Sequence, residues 1–279
     1  MAVKIITDST ADIPEDLLKK YGIEIVPLTV NFEDRSYLDK IEISSLEFFD
    51  KLVKVDKLPT TSQASPGILV EAFEKELEKG NEIVSIHVSS KFSGTFGSAI
   101  IAKEMVGSDK IYLVDSESAC AGHCILVLEA AKLANEGLSA SEIIIKLDAI
   151  KSKISIYAGI DTLKYLEKSG RLSKGVAVVG TMLNIKPIIR VKNSKIESID
   201  KVRGKAKVFK WLDDFIDSSV KPQNKTVAVY YSVNKEIAIE LKKLLIEKHN
   251  AKDVFIGEIG PVIGTHVGPN ALAIAFIED

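Results

Sequence analysis

The sequence predicts an α/β fold, with an N-terminal, mainly parallel sheet carrying helices on both faces and a C-terminal α/β domain built on a mixed sheet. Three observations carry that expectation. In the first half, short apolar runs such as residues 83–88 alternate with segments of helical period such as 66–79. In the second half, two strand-like runs at 188–192 and 195–201 are separated by little more than Asn193-Ser194, a hairpin signal that demands antiparallel pairing. The chain has 279 residues, 46% of them hydrophobic, which is enough for two modest domains with real cores.

The elements follow in order. Residues 3–7 form a strand ending at Asp8-Ser9-Thr10-Ala11-Asp12. A helix over 14–21 has Pro14 early and Gly22 just past its end, and 23–30 is a second strand. A helix over 44–53 is capped by Ser44, with Glu47 three residues on as in a capping box. A helix at 66–79 stops at Gly80, then come a strand at 83–88, a helix at 98–106 and a strand at 111–114 that ends at Asp115-Ser116. Two long helices, 119–135 and 139–151, close the first half. The second half reads as a strand at 156–160, short helices at 162–168 and 173–182, the hairpin, and a helix at 206–218 holding the only Trp, Trp211. A strand at 226–231, a helix at 235–249 and strands at 254–259 and 271–277 complete it. The domain boundary falls near 155, giving domains 1–155 and 156–279.

Composition excludes several classes. A net charge of −2 with scattered Lys gives neither a basic face for nucleic acid nor a polybasic membrane patch. No uncharged apolar stretch is long enough to span a bilayer, so no stable membrane insertion is expected. The first residues read as a strand and lack the three-part pattern of a signal peptide, which points to a cytoplasmic protein. Cys120 and Cys124 flank His123, but no second Cys/His cluster exists; they read as buried or semi-buried free thiols and no metal is expected.

Three segments carry the chemistry. Ser89-Ser90-Lys91-Phe92-Ser93-Gly94-Thr95-Phe96 joins a strand to a helix, and the unpaired N–H groups and dipole of a helix start favour an anion. Its simpler reading is an ordinary cap by Ser93. Pro59-Thr60-Thr61-Ser62-Gln63-Ala64-Ser65-Pro66 is a run of hydroxyls before a helix, or simply a solvated loop with a Ser cap. In Gly260-Pro261-Val262-Ile263-Gly264-Thr265-His266-Val267-Gly268-Pro269, turn residues crowd around one His. Together Thr61, Ser93, the Gly94 N–H and His266 supply the charge-assisted donors a buried carboxylate needs. The same inventory also reads as a Ser/His acyl hydrolase, with Ser93 as nucleophile, His266 as base and Asp8 or Asp115 orienting it. The Ser lacks a G-x-S-x-G elbow, which weakens that alternative. A small-metabolite enzyme on a related scaffold is the third reading.

Together with Asp8-Ser9-Thr10-x-Asp12, Asp115-Ser116, Ser169-Gly170-Arg171-Leu172-Ser173 and Lys186-Pro187-Ile188, these segments resemble the DegV family over nearly the whole chain. Ala64, Asn270 and the stretch after Ser116 depart from the family pattern. The resemblance implies a two-domain α/β protein that holds one long-chain fatty acid in a buried apolar tunnel, between or near both domains. It further implies a FakB-like subunit of fatty acid kinase, which presents the carboxylate to a separate ATP-dependent kinase subunit for acyl-phosphate formation. Carried over by motif, Thr61 and Ser93 bond the carboxylate, Gly94 adds a backbone contact and His266 lies beside the headgroup. Arg171 and Arg203 match exposed basic positions suited to docking the kinase subunit. No Walker-type or kinase Gly-rich loop is present, so the chain is expected to be a carrier with no catalytic residue and no cofactor besides its lipid. Candidate tunnel walls are the aliphatic and aromatic residues of 98–106 and 119–135, with Phe92, Phe96, Ile160 and Met182.

Overall fold

Val3–Asp8 (β1) is the strand around which the N-terminal sheet is built. The structure, a computed structural model, describes residues 2–172 and 184–279. β1 lies between Glu24–Val26 (β2) and Glu82–His87 (β6), and β6 pairs with Ile111–Asp115 (β7); every pairing is parallel, in the order β2-β1-β6-β7. Glu15–Tyr21 (α1) connects β1 to β2, with Gly22 in the left-handed region at its end. The run expected as one strand at 23–30 is instead broken at Pro27. Pro donates no ladder hydrogen bond, so β2 ends at Val26 and Thr29–Asn31 (β3) joins another sheet. That sheet, absent from the sequence reading, has the order β4-β3-β5, with Ser36–Leu38 as β4 and Thr60–Ser62 as β5.

Ser45–Leu52 (α2) carries the anticipated capping box: Ser44 Oγ accepts from the Glu47 N–H, and Glu47 accepts from the Ser44 N–H. Pro66–Glu78 (α3) and Thr95–Val106 (α4) pack side by side, the latter beginning three residues earlier than its sequence pattern indicates. Cys120–Asn135 (α5) is apolar all round because it runs between the two large sheets, with contacts to β1 and β6 on one side. Ala140–Ile150 (α6) covers β6 and β7.

Among the described residues the C-terminal sheet has six strands, in the order β10-β9-β8-β13-β11-β12. They are Ile154–Gly159 (β8), Ile185–Lys192 (β9), Lys195–Arg203 (β10), Thr226–Tyr231 (β11), Asp253–Glu258 (β12) and Leu272–Ile277 (β13). Only β11 and β12 pair in parallel, so the sheet is mixed as expected, and β9–β10 is the hairpin read from Asn193-Ser194. Lys164–Lys168 (α7), Lys205–Phe215 (α8) and Lys235–Glu247 (α9) complete the second half, and α8 runs on into a π-helical turn at Ile216–Val220. The helix anticipated at 173–182 lies outside the described residues, as do Ser173 and Met182.

Pro261–Val267 (α10), where the sequence predicts turn chemistry, is a helix. Pro261 occupies its first turn and Gly268, at φ 75°, terminates it; both are standard helix-end residues. So short a helix is held by packing, and it lies directly on α2: a Cβ at Gly264 would sit 2.7 Å from the Phe48 ring. A buried ionic joint ties this region to the N-terminal turn. Asp12 Oδ1 accepts from Lys40 Nζ at 2.8 Å and from the Gly260 N–H at 3.0 Å, and Tyr230 Oη donates to the Asp12 carbonyl at 3.1 Å.

Candidate carboxylate-binding cavity

One cavity, with about 1050 Å³ of empty space, is lined from both halves of the chain. Thr61, Ser93, Gly94 and His266, drawn from β5, the β6–α4 turn and α10, all line it, with Arg171 and Gln63 beside them. Thr61 Oγ1 and His266 Nε2 stand 3.2 Å apart. His266 Nδ1 is buried and has no hydrogen-bond partner among the described residues. Burial, reinforced by the Arg171 guanidinium, lowers the ring's pKa to about 4, so the imidazole is neutral at pH 7.

Gly94 is the N-cap of α4, and Ser93 stands just before it. Ser93 Oγ bonds Thr95 Oγ1 at 2.9 Å and accepts from the Thr95 N–H, which keeps the hydroxyl at the cavity edge. Gly94 is required by close approach: a Cβ there would fall 1.9 Å from Gln63 Oε1. Gln63 is a site residue the sequence reading passed over. Its Nε2 donates to Ser98 Oγ at 2.8 Å, clamping β5 against α4; its place beside Thr61 in the hydroxyl run was the available signal.

Away from this polar end the wall is mainly aliphatic, with Thr10, Phe92 and Cys120 as the exceptions. Alternate residues of β8, β9 and β13 face the cavity: Ile156 and Ala158, Ile189 and Val191, and Ala273. Ala158 lies opposite Ala273 in the ladder, so two small side chains leave a groove across the sheet. Val262, Ile263 and Val267 of α10 and Leu166 of α7 close the other side. Phe92 and Ile160 line the cavity as expected. The other anticipated walls among the described residues do not. The aliphatics of α5 are spent between the sheets, where only Cys120, with the preceding Ala119, reaches the cavity. On α4, Ile100 and Met105 face solvent at 42% and 65% exposure. Phe96 is likewise absent from the wall.

Arg171 is not the exposed residue the sequence suggested. It is half-buried, its Nε donating to the Phe92 carbonyl at 3.2 Å and its Nη1 to the Ser169 carbonyl. Arg203 is exposed at the end of β10, away from the cavity wall.

The hydrolase constellation is not assembled. Asp8 accepts from His87 Nδ1 at 3.1 Å and from Thr10, and Asp115 accepts from the Ser90 and Glu117 N–H groups, so neither orients His266. His266 bonds Thr61, not Ser93. Ser85, His87 and Asp8 do form a hydrogen-bonded row, but all three are 0% exposed and none lines the cavity. Burial alone would raise the Asp8 pKa, yet the adjacent His123 and His87 bring it down to about 2. Cys120 and Cys124 are buried free thiols. Among the described residues, Asp213, Asp217 and His249 are grouped at metal-ligand distances. Lys248 Nζ already sits against both carboxylates, at 2.7 and 3.0 Å, in the place a cation would take.

A family model described as "Uncharacterised protein, DegV family" matches residues 2–279. The chain belongs to the DegV family. It is similar to a DegV domain-containing protein of Caldanaerobacter subterraneus subsp. tengcongensis, at 38% identity over 99% of each chain. Among solved DegV structures it resembles DegV, a fatty acid binding protein from Bacillus subtilis, at 34% identity and TM-score 0.87 with both chains fully covered. A DegV family protein from Thermus thermophilus, described for its fatty acid binding, matches at 28% identity and TM-score 0.89, again over the whole of both chains. A stearic acid-binding protein from Eubacterium ventriosum matches at 28% identity and TM-score 0.89, covering 99% of this chain and 98% of its own. The parallel and mixed sheets described above are thus those of the DegV fold.

Proposed function

We propose that this DegV protein binds one long-chain fatty acid in the cavity and presents its carboxylate to a separate ATP-dependent kinase subunit that forms the acyl phosphate. The observation that carries the reading is the cavity's asymmetry: Thr61, Ser93, Gly94 and a neutral His266 imidazole line one part of it, and mainly aliphatic side chains line the rest. Such a cavity fits a molecule with one acidic tip and a long apolar tail. At about 0.8 kcal/mol per buried CH₂, a chain of about sixteen carbons gains roughly 10 kcal/mol before ordering costs. The DegV relatives described as fatty acid-binding support the same ligand class.

Thr61 and Ser93 hydroxyls and the Gly94 N–H donate to the carboxylate, and His266 holds the Thr61 hydroxyl in place. The chain itself catalyses nothing in this reading; it works in the cytoplasm as a carrier. No described helix is long and apolar enough to cross a membrane. Thr61, His266 and Arg171 also line an open basin on the outer side, so a second protein can reach the acid's headgroup.

Native mass spectrometry of the purified protein, before and after exposure to labelled palmitate or oleate, tests the ligand. A bound mass of one long-chain acid is expected; a protein that neither carries nor takes up such an acid refutes the reading. Acyl-phosphate formation from the loaded protein, a kinase subunit and ATP tests the partnership.

A further inference from the structure

α10 carries His266 in its last turn, and its first turn is capped from elsewhere in the chain. An N-cap side chain ordinarily accepts from the second or third N–H of its helix. The N-cap of α10 is Gly260, which has no side chain, and Pro261 has no N–H. Two carboxylates of the N-terminal half take over. Asp12 Oδ1 accepts from the Gly260 N–H at 3.0 Å, and Asp39 Oδ1 accepts from the Val262 N–H at 3.4 Å, across 223 positions. Residue 260 has no room for a cap of its own: a Cβ there would fall 2.5 Å from Asp12 Oδ1 and from Lys40 Cε. Asp39 is fixed in place, its N–H donating to the Leu28 carbonyl at 2.9 Å. Lys40 beside it sits at φ 60°, rare for a residue with a side chain, with Nζ on Asp12. Asp39 itself is 1% exposed, and its Oδ2 has no hydrogen-bond partner among the described residues. Burial and then the Asp12 carboxylate push its pKa up to about 7, with Ser9, Lys40 and the Val262 N–H pulling the other way. Cys120 of α5 lies beyond Asp12, and His266 one turn along α10. Asp39 also lines an open basin, a route to water, around which stand Glu15 and Asp16 of α1, Tyr231 of β11, Lys235 and Lys242 of α9 and Glu258 of β12.

We propose that Asp39 is a positioning residue for the headgroup site: its carboxylate caps α10 across the chain and so sets where His266 meets Thr61. The effect on affinity rests on the fatty acid reading above; the cap does not. A hydrogen bond of 3.4 Å is long, so it depends on charge at its acceptor. That charge also complements the dipole of a seven-residue helix too short to persist without packing. Protonation of Asp39 removes the charge and loosens the first turn, and Val262 is only one turn from His266. Acid binding therefore strengthens as pH rises through 7 and weakens as it falls. His266 titrates well below this window, at about 4.

Two measurements test this on the delipidated full-length protein. The first follows the Val262 amide signal by NMR from pH 6 to pH 8.5. In wild type it is expected to titrate with a midpoint near 7, and in Asp39→Asn, which keeps the shape and an acceptor oxygen but no charge, it is expected to stay still. A Val262 signal that does not move with pH in wild type overturns the cap, whether or not Asp39→Asn folds. The second measures affinity for labelled oleate over the same range in both proteins, so that the ligand's own titration is common to them. Wild type is expected to lose about fivefold between pH 8 and pH 6 relative to Asp39→Asn, with the variant at pH 8 already as weak as wild type at pH 6. The same pH profile in wild type and Asp39→Asn, with the Val262 signal titrating in wild type, overturns the positioning role. Wild-type protein that binds no oleate at any pH overturns the fatty acid reading instead, and the Val262 signal still decides the cap.

Discussion

Thr61 and His266, 205 positions apart in the chain, meet with Oγ1 and Nε2 3.2 Å from one another. One is the middle residue of β5, between α2 and α3, and the other belongs to the last turn of α10. The contact is local chemistry created by the fold, and it organises the headgroup site. Thr61→Val keeps the shape and removes the hydroxyl. It is expected to weaken fatty acid binding by about 1–2 kcal/mol, the worth of a hydrogen bond to a charged group with its buried partner left unpaired. Thr61→Ser should restore most of it. Equal affinities for wild type and Thr61→Val, measured by calorimetry, would remove Thr61 from the site.

Gly94→Ala tests close approach. The added methyl must displace the Gln63 amide, because a Cβ there falls 1.9 Å from Oε1. Expected are a normal circular dichroism spectrum, since Gly94 sits at φ −75°, which Ala adopts readily, and a loss of fatty acid binding of 10-fold or more. Binding at wild-type strength would mean that Gln63 moves without consequence.

Ala273→Leu tests the tunnel. The residue lies opposite Ala158 in the groove, so the larger side chain occupies acyl volume. Affinity for an eighteen-carbon acid should fall more than that for a twelve-carbon acid, a contrast measured by competition with labelled oleate. Equal losses for both lengths would place the acyl chain elsewhere.

His266 makes ligand-free stability depend on pH. Its folded-state pKa, about 4, lies below the ordinary 6.5 because of burial and then Arg171. The unfolded chain therefore binds the extra proton first. The contribution is complete above pH 6.5 and is lost as pH falls toward 4, amounting to about 3 kcal/mol in all. Urea midpoints at pH 7.5 and 5 should show this loss, and His266→Gln should flatten it. A bound carboxylate next to the ring raises its pKa, so the slope should shrink in loaded protein. An identical slope with and without fatty acid would separate His266 from the ligand.

Lys40→Met strands the Asp12 carboxylate, which is 0% exposed and lies 2.8 Å from Lys40 Nζ. A cost of about 3–5 kcal/mol is expected, as for other buried pairs broken on one side. Asp12→Asn combined with Lys40→Met should recover most of it. A single variant as stable as wild type in urea would show that the joint between the N-terminal turn and Gly260 carries no stability.

Much of this molecule was legible in one dimension. The parallel and mixed sheets followed from alternation of short apolar runs with helical periods, because each element must bury one face. Helix ends were readable wherever capping chemistry is local, as at Ser44 with Glu47 and at Gly22. Failures came where a local signal has two outcomes. Gly260, Pro261 and Gly268 are turn residues and helix-end residues alike, and tertiary packing, with Phe48 and Phe49 on one side and α7 and β3 beside it, decides for a helix at α10. Thr60–Ser62 is too short to declare itself as a strand until it pairs with β3.

The sequence by itself determined the fold class, the family, the hydroxyl, glycine and histidine residues of the polar end, and the two cysteines as free thiols. These depend on residue type and on neighbours within a few positions. Only the tertiary structure decided which apolar residues line the cavity and which fill the core, for both kinds of residue share one period and one hydrophobicity. It also decided that α5 is buried between sheets, that α4 exposes its aliphatic face, and that Arg171 stands behind His266. Such assignments depend on which surfaces meet across tens or hundreds of residues, and no local pattern encodes that distance.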